Sequence, residues 1–244
     1  MTRTKKILLS VFLGALSIFL ALVLFVMYMV HYGRPVPPAR PGTIKVACVG
    51  DSITFGGLTR SSQYPSQLED LLGRSYSVRN FGAIGYTAQK AGDWPYWEHR
   101  YFRLSSEFAP DVVVIMLGSN DSKQQNWAGA DRFTTDYRAL IEHYQSLPSK
   151  PKIILMTPPS AFLVHGRTSP PAKISFEAIA EIAGIVKQIG ASLSLPVVDI
   201  HTATADHPEF FKLDGLHPDG DGDRLIAETL YKTVQEQAAK PGPQ

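Results

Sequence analysis

The chain has 244 residues, 44% of them hydrophobic and 19% charged, with a formal net charge of +2. This is enough apolar material for the core of one full domain, and it argues against a chain that is disordered throughout. The near-neutral balance, with no run of five or more basic residues, leaves no case for a nucleic-acid partner, and the single cysteine, Cys48, rules out an intramolecular disulfide and a cysteine-based metal site.

Residues 1–30 differ from everything that follows. The stretch 7–30 carries no charge, and roughly 24 residues at about 1.5 Å each reach about 36 Å, enough to cross a hydrocarbon layer of about 30 Å. Its end, Met27-Tyr28-Met29-Val30, is bulky and lacks the small-residue cleavage site of a signal peptide, so the segment is expected to persist as a single membrane anchor. Arg3, Lys5 and Lys6 precede it while Arg34 and Arg40 follow. That bias predicts a cytoplasmic N-terminus with the remainder outside. Residues 31–43, rich in proline and glycine, read as an extended linker, and residues 44–244 as the folded domain.

Within that domain, short apolar runs at 44–49, 77–81, 112–117, 153–156 and 197–200 alternate with helical patterns at 65–72, 95–108, 132–145, 174–193 and 222–238. Runs this apolar do not suit half-exposed strands, so the alternation predicts a five-stranded parallel sheet covered on both faces by helices. Cys48 lies in the first run and is expected to pack in the core. Ligands of such a sheet sit beyond the carboxyl ends of its strands, which singles out the turns at Gly50-Asp51-Ser52, at residues 80–85 and at Gly118-Ser119-Asn120-Asp121.

The first turn presents Ser52 between glycines. A serine hydroxyl is a weak nucleophile alone and needs a base within reach and donors for the developing oxyanion. Asp214-Gly215-Leu216-His217 supplies a carboxylate three residues before an imidazole, and the turns around Gly85 and Asn120 can supply donors. Asp51 and Asp121 are alternative orienting acids, but each also suits a turn in which it accepts from nearby backbone amides.

Four blocks together resemble the SGNH hydrolases, also known as GDSL esterases: Gly50-Asp51-Ser52-Ile53-Thr54, residues 80–87, Gly118-Ser119-Asn120-Asp121 and Asp214-Gly215-Leu216-His217-Pro218. They stand in the family's order and span essentially residues 44–230. The resemblance implies a flavodoxin-like three-layer α/β/α sandwich. It makes Ser52 the nucleophile, His217 the base, Asp214 its orienting partner, and Ser52, Gly85 and Asn120 the oxyanion donors, with Gly82 competing for the glycine's role. The patterns around residues 80–97 and 214–219 are most similar to carbohydrate O-acetylesterases.

Other signals are weaker. Asp219, Asp221 and Asp223 mimic a calcium loop, but Arg224 and Leu230 stand where that loop requires glycine and glutamate, so a solvated helix start is expected. Asp199, His201 and His207 read as surface residues rather than metal ligands. Asn120-Asp121-Ser122 matches a glycosylation sequon, although a glycosylated Asn120 could not serve an oxyanion. Trp94, Tyr96, Trp97 and Trp127 follow the candidate turns and could stack on a sugar or pack in the core; Trp94, Trp97 and Trp127 are the candidate substrate contacts. The expectation is a membrane-anchored serine esterase, free of metal and cofactor, that removes acetyl groups from a carbohydrate or another small ester. Its rivals are a lysophospholipase or thioesterase, and an inactive glycan-binding protein of the same fold.

Overall fold

The computed structural model describes residues 2–163 and 173–240. Val164, expected to lie on the loop after the fourth strand, falls outside them. The chain forms two compact units, Met1–Arg34 and Pro35–Gln244.

The first unit is one helix, α1 (Arg3–Tyr32), closed by Gly33 at φ 66°. The stretch Arg3–Met29 has a mean hydropathy of 2.8, long and apolar enough to cross a membrane. Its two serine side chains turn inward on the backbone: Ser10 Oγ donates to the Lys6 carbonyl at 3.0 Å and Ser17 Oγ to the Leu13 carbonyl at 2.8 Å. Serine hydroxyls satisfied by the helix backbone suit an apolar solvent.

The second unit starts at Pro35, earlier than the expected boundary at residue 44. The chain from Pro35 to Thr43 is fastened to the domain rather than free. The buried Arg79 guanidinium donates to the Pro37 carbonyl at 2.9 Å and the Pro38 carbonyl at 2.7 Å while pairing with Glu69 at 3.0 Å, and the Arg40 amide donates to Ser77 Oγ at 3.0 Å. Composition marked this stretch as extended, which it is, but could not show the arginine that holds it.

The domain's sheet has five parallel strands in the order β2-β1-β3-β4-β5, the flavodoxin-like order. The strands are β1 (Ile44–Gly50), β2 (Tyr76–Gly82), β3 (Val112–Met116), β4 (Lys152–Met156) and β5 (Val197–Val198). Alternate residues divide the core in two. Ala47, Val49, Phe81, Val113 and Ile115 pack under α4 (Arg100–Glu107), α5 (Ala130–Gln145) and α6 (Phe176–Leu193). Val46, Cys48, Val78, Val112 and Val114 pack under α3 (Tyr64–Leu72) and α8 (Gly220–Ala238). Both faces are thus covered, which explains how apolar the strands are, Val112–Met116 above all. Burial pushes the Cys48 thiol pKa up, in keeping with a packing role.

Three expectations need adjustment. The helix expected over 95–108 is broken, because His99 is extended (φ −75°, ψ 142°) and caps α4 by accepting from the Tyr101 amide at 3.2 Å. The last strand stops at Val198, since the Asp199 side chain accepts from the Thr202 amide and starts α7 (Ile200–Thr204). A short α2 (Ser52–Phe55) follows β1 directly, too brief for its periodicity to be read from the sequence.

Candidate active site

With β1 between β2 and β3, the switch in strand order opens a crevice at the carboxyl end of β1, where ligands of this topology bind. Glycine lets α2 sit tightly there. A Cβ on Gly50 would come within 2.0 Å of Thr54 Oγ1, and one on Gly82 within 2.1 Å of the Phe55 amide nitrogen. Asp51 caps the turn, its Oδ1 accepting from the Ile53 amide at 2.9 Å. Ser52 therefore stands at the first position of a helix braced from below.

Its Oγ lies 2.9 Å from His217 Nε2, although 165 residues separate the two. On the other side of the ring, His217 Nδ1 lies 2.7 Å from Asp214 Oδ2. The remaining Asp214 oxygen accepts from the Leu216 and His217 amides, each at 2.9 Å, so the acid and the imidazole are positioned by one turn. Gly215 permits that turn with φ 69°, and backbone bonds from Lys212 to His217 (2.9 Å) and from Asp219 to Phe210 (2.9 Å) clamp its ends. Partial burial raises the Asp214 pKa, but the amide and ring donors outweigh it and hold the carboxyl below the usual 3.8.

Asn120 is nearly buried and donates through Nδ2 to the Tyr86 carbonyl at 3.1 Å, which brings the third turn against the second. Gly85 has φ 87°, and a Cβ there would meet Trp94 Cε3 at 2.9 Å, so glycine is required both for conformation and for space. The competing Gly82 has already given its amide to Asn80 Oδ1 at 2.9 Å. The amides of Ser52 and Gly85, by contrast, have no partner among the described residues.

Asp51 and Asp121 shape the turns and do not touch the His217 ring. Asp121 accepts from the Ala88 and Gln89 amides at 3.0 and 2.8 Å, tying the second turn to the third. Burial raises both carboxyls to about 6.

The aromatic candidates separate. Trp94 is exposed, beside Gly85 and tilted on Tyr86 at 5.9 Å. Trp97 and Trp127 pack against the core: Trp97 Nε1 donates to the Ala88 carbonyl at 3.0 Å, and the Trp127 ring lies 6.2 Å from that of Phe133. Tyr96 is fully buried, with its hydroxyl on the Phe81 carbonyl at 2.8 Å.

The helix start at residues 219–223 is only partly solvated. Asp219 caps α8 and Asp221 is exposed, but Asp223 is 1% exposed and accepts from the Tyr64 amide at 3.1 Å. A signal for this was present, because Asp223, Ile226, Leu230 and Val234 recur at helical spacing on the buried stripe of α8. Asp199 is engaged with Lys187 at 2.9 Å and with Thr202, and His207 with Glu209 at 2.9 Å. No group of three or more potential metal ligands converges among the described residues.

The sequence model of the GDSL-like Lipase/Acylhydrolase family matches residues 48–225. The chain belongs to that family. Over 223 residues this GDSL-like protein is 31% identical to an acetylxylan esterase of Xylanibacter ruminicola; the match covers 83% of this chain and 45% of the relative, so the chain spans about half that protein's length. A GDSL esterase/lipase of Arabidopsis thaliana is 22% identical over 225 residues, covering 84% of this chain and 68% of the relative. Among solved structures, a carbohydrate acetylesterase family member from Sinorhizobium meliloti superposes with a TM-score of 0.65 at 21% identity, covering 81% of this chain and 100% of that one. A lipase/acylhydrolase from Enterococcus faecalis does so with a TM-score of 0.61 at 25% identity, covering 83% and 100%.

Proposed function

We propose that this GDSL-like protein is a serine esterase that hydrolyses acetyl esters, with carbohydrate acetates as its substrates. The observation that carries this reading is the continuous relay from Ser52 Oγ through the His217 ring to Asp214, at 2.9 and 2.7 Å. In the proposed cycle, His217 Nε2 takes the Ser52 proton as Oγ attacks the ester carbonyl. The oxyanion is met by the Ser52 and Gly85 amides and the Asn120 side chain. The intermediate collapses to acetyl-Ser52 as His217 returns the proton to the leaving alcohol; a water then deacylates the serine by the same path, giving acetate. The ionised Asp214 holds the imidazole in orientation and offsets its transient charge. The likeness to the acetylxylan esterase supports the carbohydrate acetate.

The small cavity beside Ser52, about 160 Å³, suits a short acyl group. Full-chain protein in detergent is expected to label with a fluorophosphonate probe, and Ser52→Ala to abolish the label; labelling that persists in Ser52→Ala would break the assignment. A second reading, lipid esters, has its own observation: Leu58, Leu163 and Leu213 are 85%, 52% and 71% exposed on loops beside the candidate site. Specificity constants for acetyl, butyryl and octanoyl p-nitrophenyl esters separate the two. The acetyl ester is expected to lead the octanoyl ester by tenfold or more, and a rise with chain length selects the lipid reading.

The same proposal places α1 in a membrane with the domain outside the cytoplasm. Carbonate washing is expected to leave the protein in the membrane fraction, and protease added outside the cytoplasmic membrane to reach the domain. Protection until that membrane is broken would reverse the orientation.

A further inference from the structure

The cavity at Ser52 and His217 is also lined by the apolar Ile53, Phe55 and Ile84 and by Lys212 and Asp223. No step of the ester cycle uses the last two. Asp223 is 1% exposed, and the only hydrogen bond of its side chain among the described residues is the one its Oδ1 accepts from the Tyr64 amide at 3.1 Å. Oδ2 has no hydrogen bond among the described residues and is not a fully buried atom, so at the cavity it is open to a donor from a ligand. Lys212, exposed at the mouth, provides a donor with no hydrogen-bond partner of its own side chain among the described residues.

We propose that Asp223 and Lys212 form a hydroxyl-binding subsite, in which a free hydroxyl of the sugar bearing the scissile acetyl group donates to Asp223 and accepts from Lys212. The inference rests on the carbohydrate-ester reading above and narrows it to sugar acetates that retain a neighbouring free hydroxyl. The chemistry favours a sugar over the alternatives. A hydroxyl both donates and accepts, which matches a carboxyl and an ammonium together, whereas an acetyl methyl or an alkyl chain can do neither and would leave Asp223 desolvated and unpaired. Burial is the main cause that lifts the Asp223 carboxyl to about 7, against the opposing charge of Lys212. Near neutrality it is therefore ionised part of the time, and in that state Oδ2 accepts from the sugar hydroxyl; when protonated, Oδ2 donates to the hydroxyl oxygen instead.

The test compares kcat/KM of the full chain in detergent on three substrates: p-nitrophenyl acetate, a methyl xyloside monoacetate with a free vicinal hydroxyl, and its deoxy analogue lacking that hydroxyl. Asn at position 223 keeps a carbonyl for the Tyr64 amide, so Asp223→Asn is expected to stay folded, and Lys212→Met is a second, exposed variant. In each, the ratio of kcat/KM on the sugar acetate to that on p-nitrophenyl acetate is expected to fall at least tenfold. Removing the sugar hydroxyl should cost the wild type a similar factor but each variant less than twofold. A wild type indifferent to the hydroxyl, or variants that lose equally on all three substrates, would overturn the subsite. If the wild type hydrolyses none of the three, the esterase reading fails instead. The subsite is then decided by calorimetric binding of the methyl xyloside: weaker binding in Asp223→Asn supports it and equal binding overturns it.

Discussion

His217 lies between two carboxylates that the fold treats in opposite ways. Asp214, three residues before it, is half-exposed and receives two amides and the ring, so its pKa stays below the usual 3.8. Asp223, six residues after it on α8, is buried with one amide donor, and its pKa rises to about 7. Donors and burial, rather than distance along the chain from the histidine, determine which of the two is a dependable anion. In the proposed cycle the first suits an imidazole that becomes positive for an instant; in the proposed subsite the second suits a hydroxyl.

The largest expected effects break the Asp214 side of that comparison. Ser52→Ala and His217→Ala should each lower turnover on p-nitrophenyl acetate by about 10⁴-fold or more, and Asp214→Ala by less, because water or a carbonyl can partly orient the ring. Circular dichroism should show all three folded. Equal, near-wild-type turnover in a folded Ser52→Ala would remove the relay from the mechanism.

A smaller effect concerns the buried acids that brace the turns. Asp121→Ala leaves the Ala88 and Gln89 amides without their acceptor in a buried setting, at a cost of about 1–3 kcal/mol for each. A lower denaturant midpoint is expected. A midpoint unchanged from wild type would mean that water or a shifted loop takes up both amides.

The smallest effect is a pH dependence whose sign separates the two kinds of carboxylate. Asp51, Asp121 and Asp223 are held above 3.8, at about 6, about 6 and about 7. Between the unfolded and folded values each binds more protons in the folded state. Its contribution to stability is therefore whole below pH 3.8 and lost as pH rises through 6 to 7. Asp214 has the opposite sign, contributing above 3.8 and losing its contribution as pH falls. The stability of wild type relative to Asp223→Asn should decline between pH 4 and about 7 and then level off. Relative to Asp214→Asn it should instead decline on acidification. Matching slopes in the two comparisons would mean that burial does not distinguish these acids.

Residue types and their order along the chain determined a good deal. Largely apolar runs, Val112–Met116 the clearest, alternating with helical patterns specified a covered parallel sheet, since strands this apolar are buried on both faces. The Asp214-to-His217 spacing specified a local pair, because three residues on one turn bring acid and imidazole together without help from the rest of the fold. The glycines at 50, 82 and 85 stood out as residues, and the family resemblance favoured Gly85 over Gly82; their surroundings add that one amide is spent on Asn80 and the other is not. Tertiary structure alone decided the contact between Ser52 and His217 across 165 residues, the packing of Trp97 and Trp127 against the core while Trp94 stays exposed, and the docking of residues 35–43 on Arg79. It also turned Asp223 from a solvated helix start into a cavity wall. The reason is common to all of these: a side chain's charge state and its free hydrogen-bonding atoms are set by neighbours distant in sequence, and those neighbours are named only once the sheet order has brought them together.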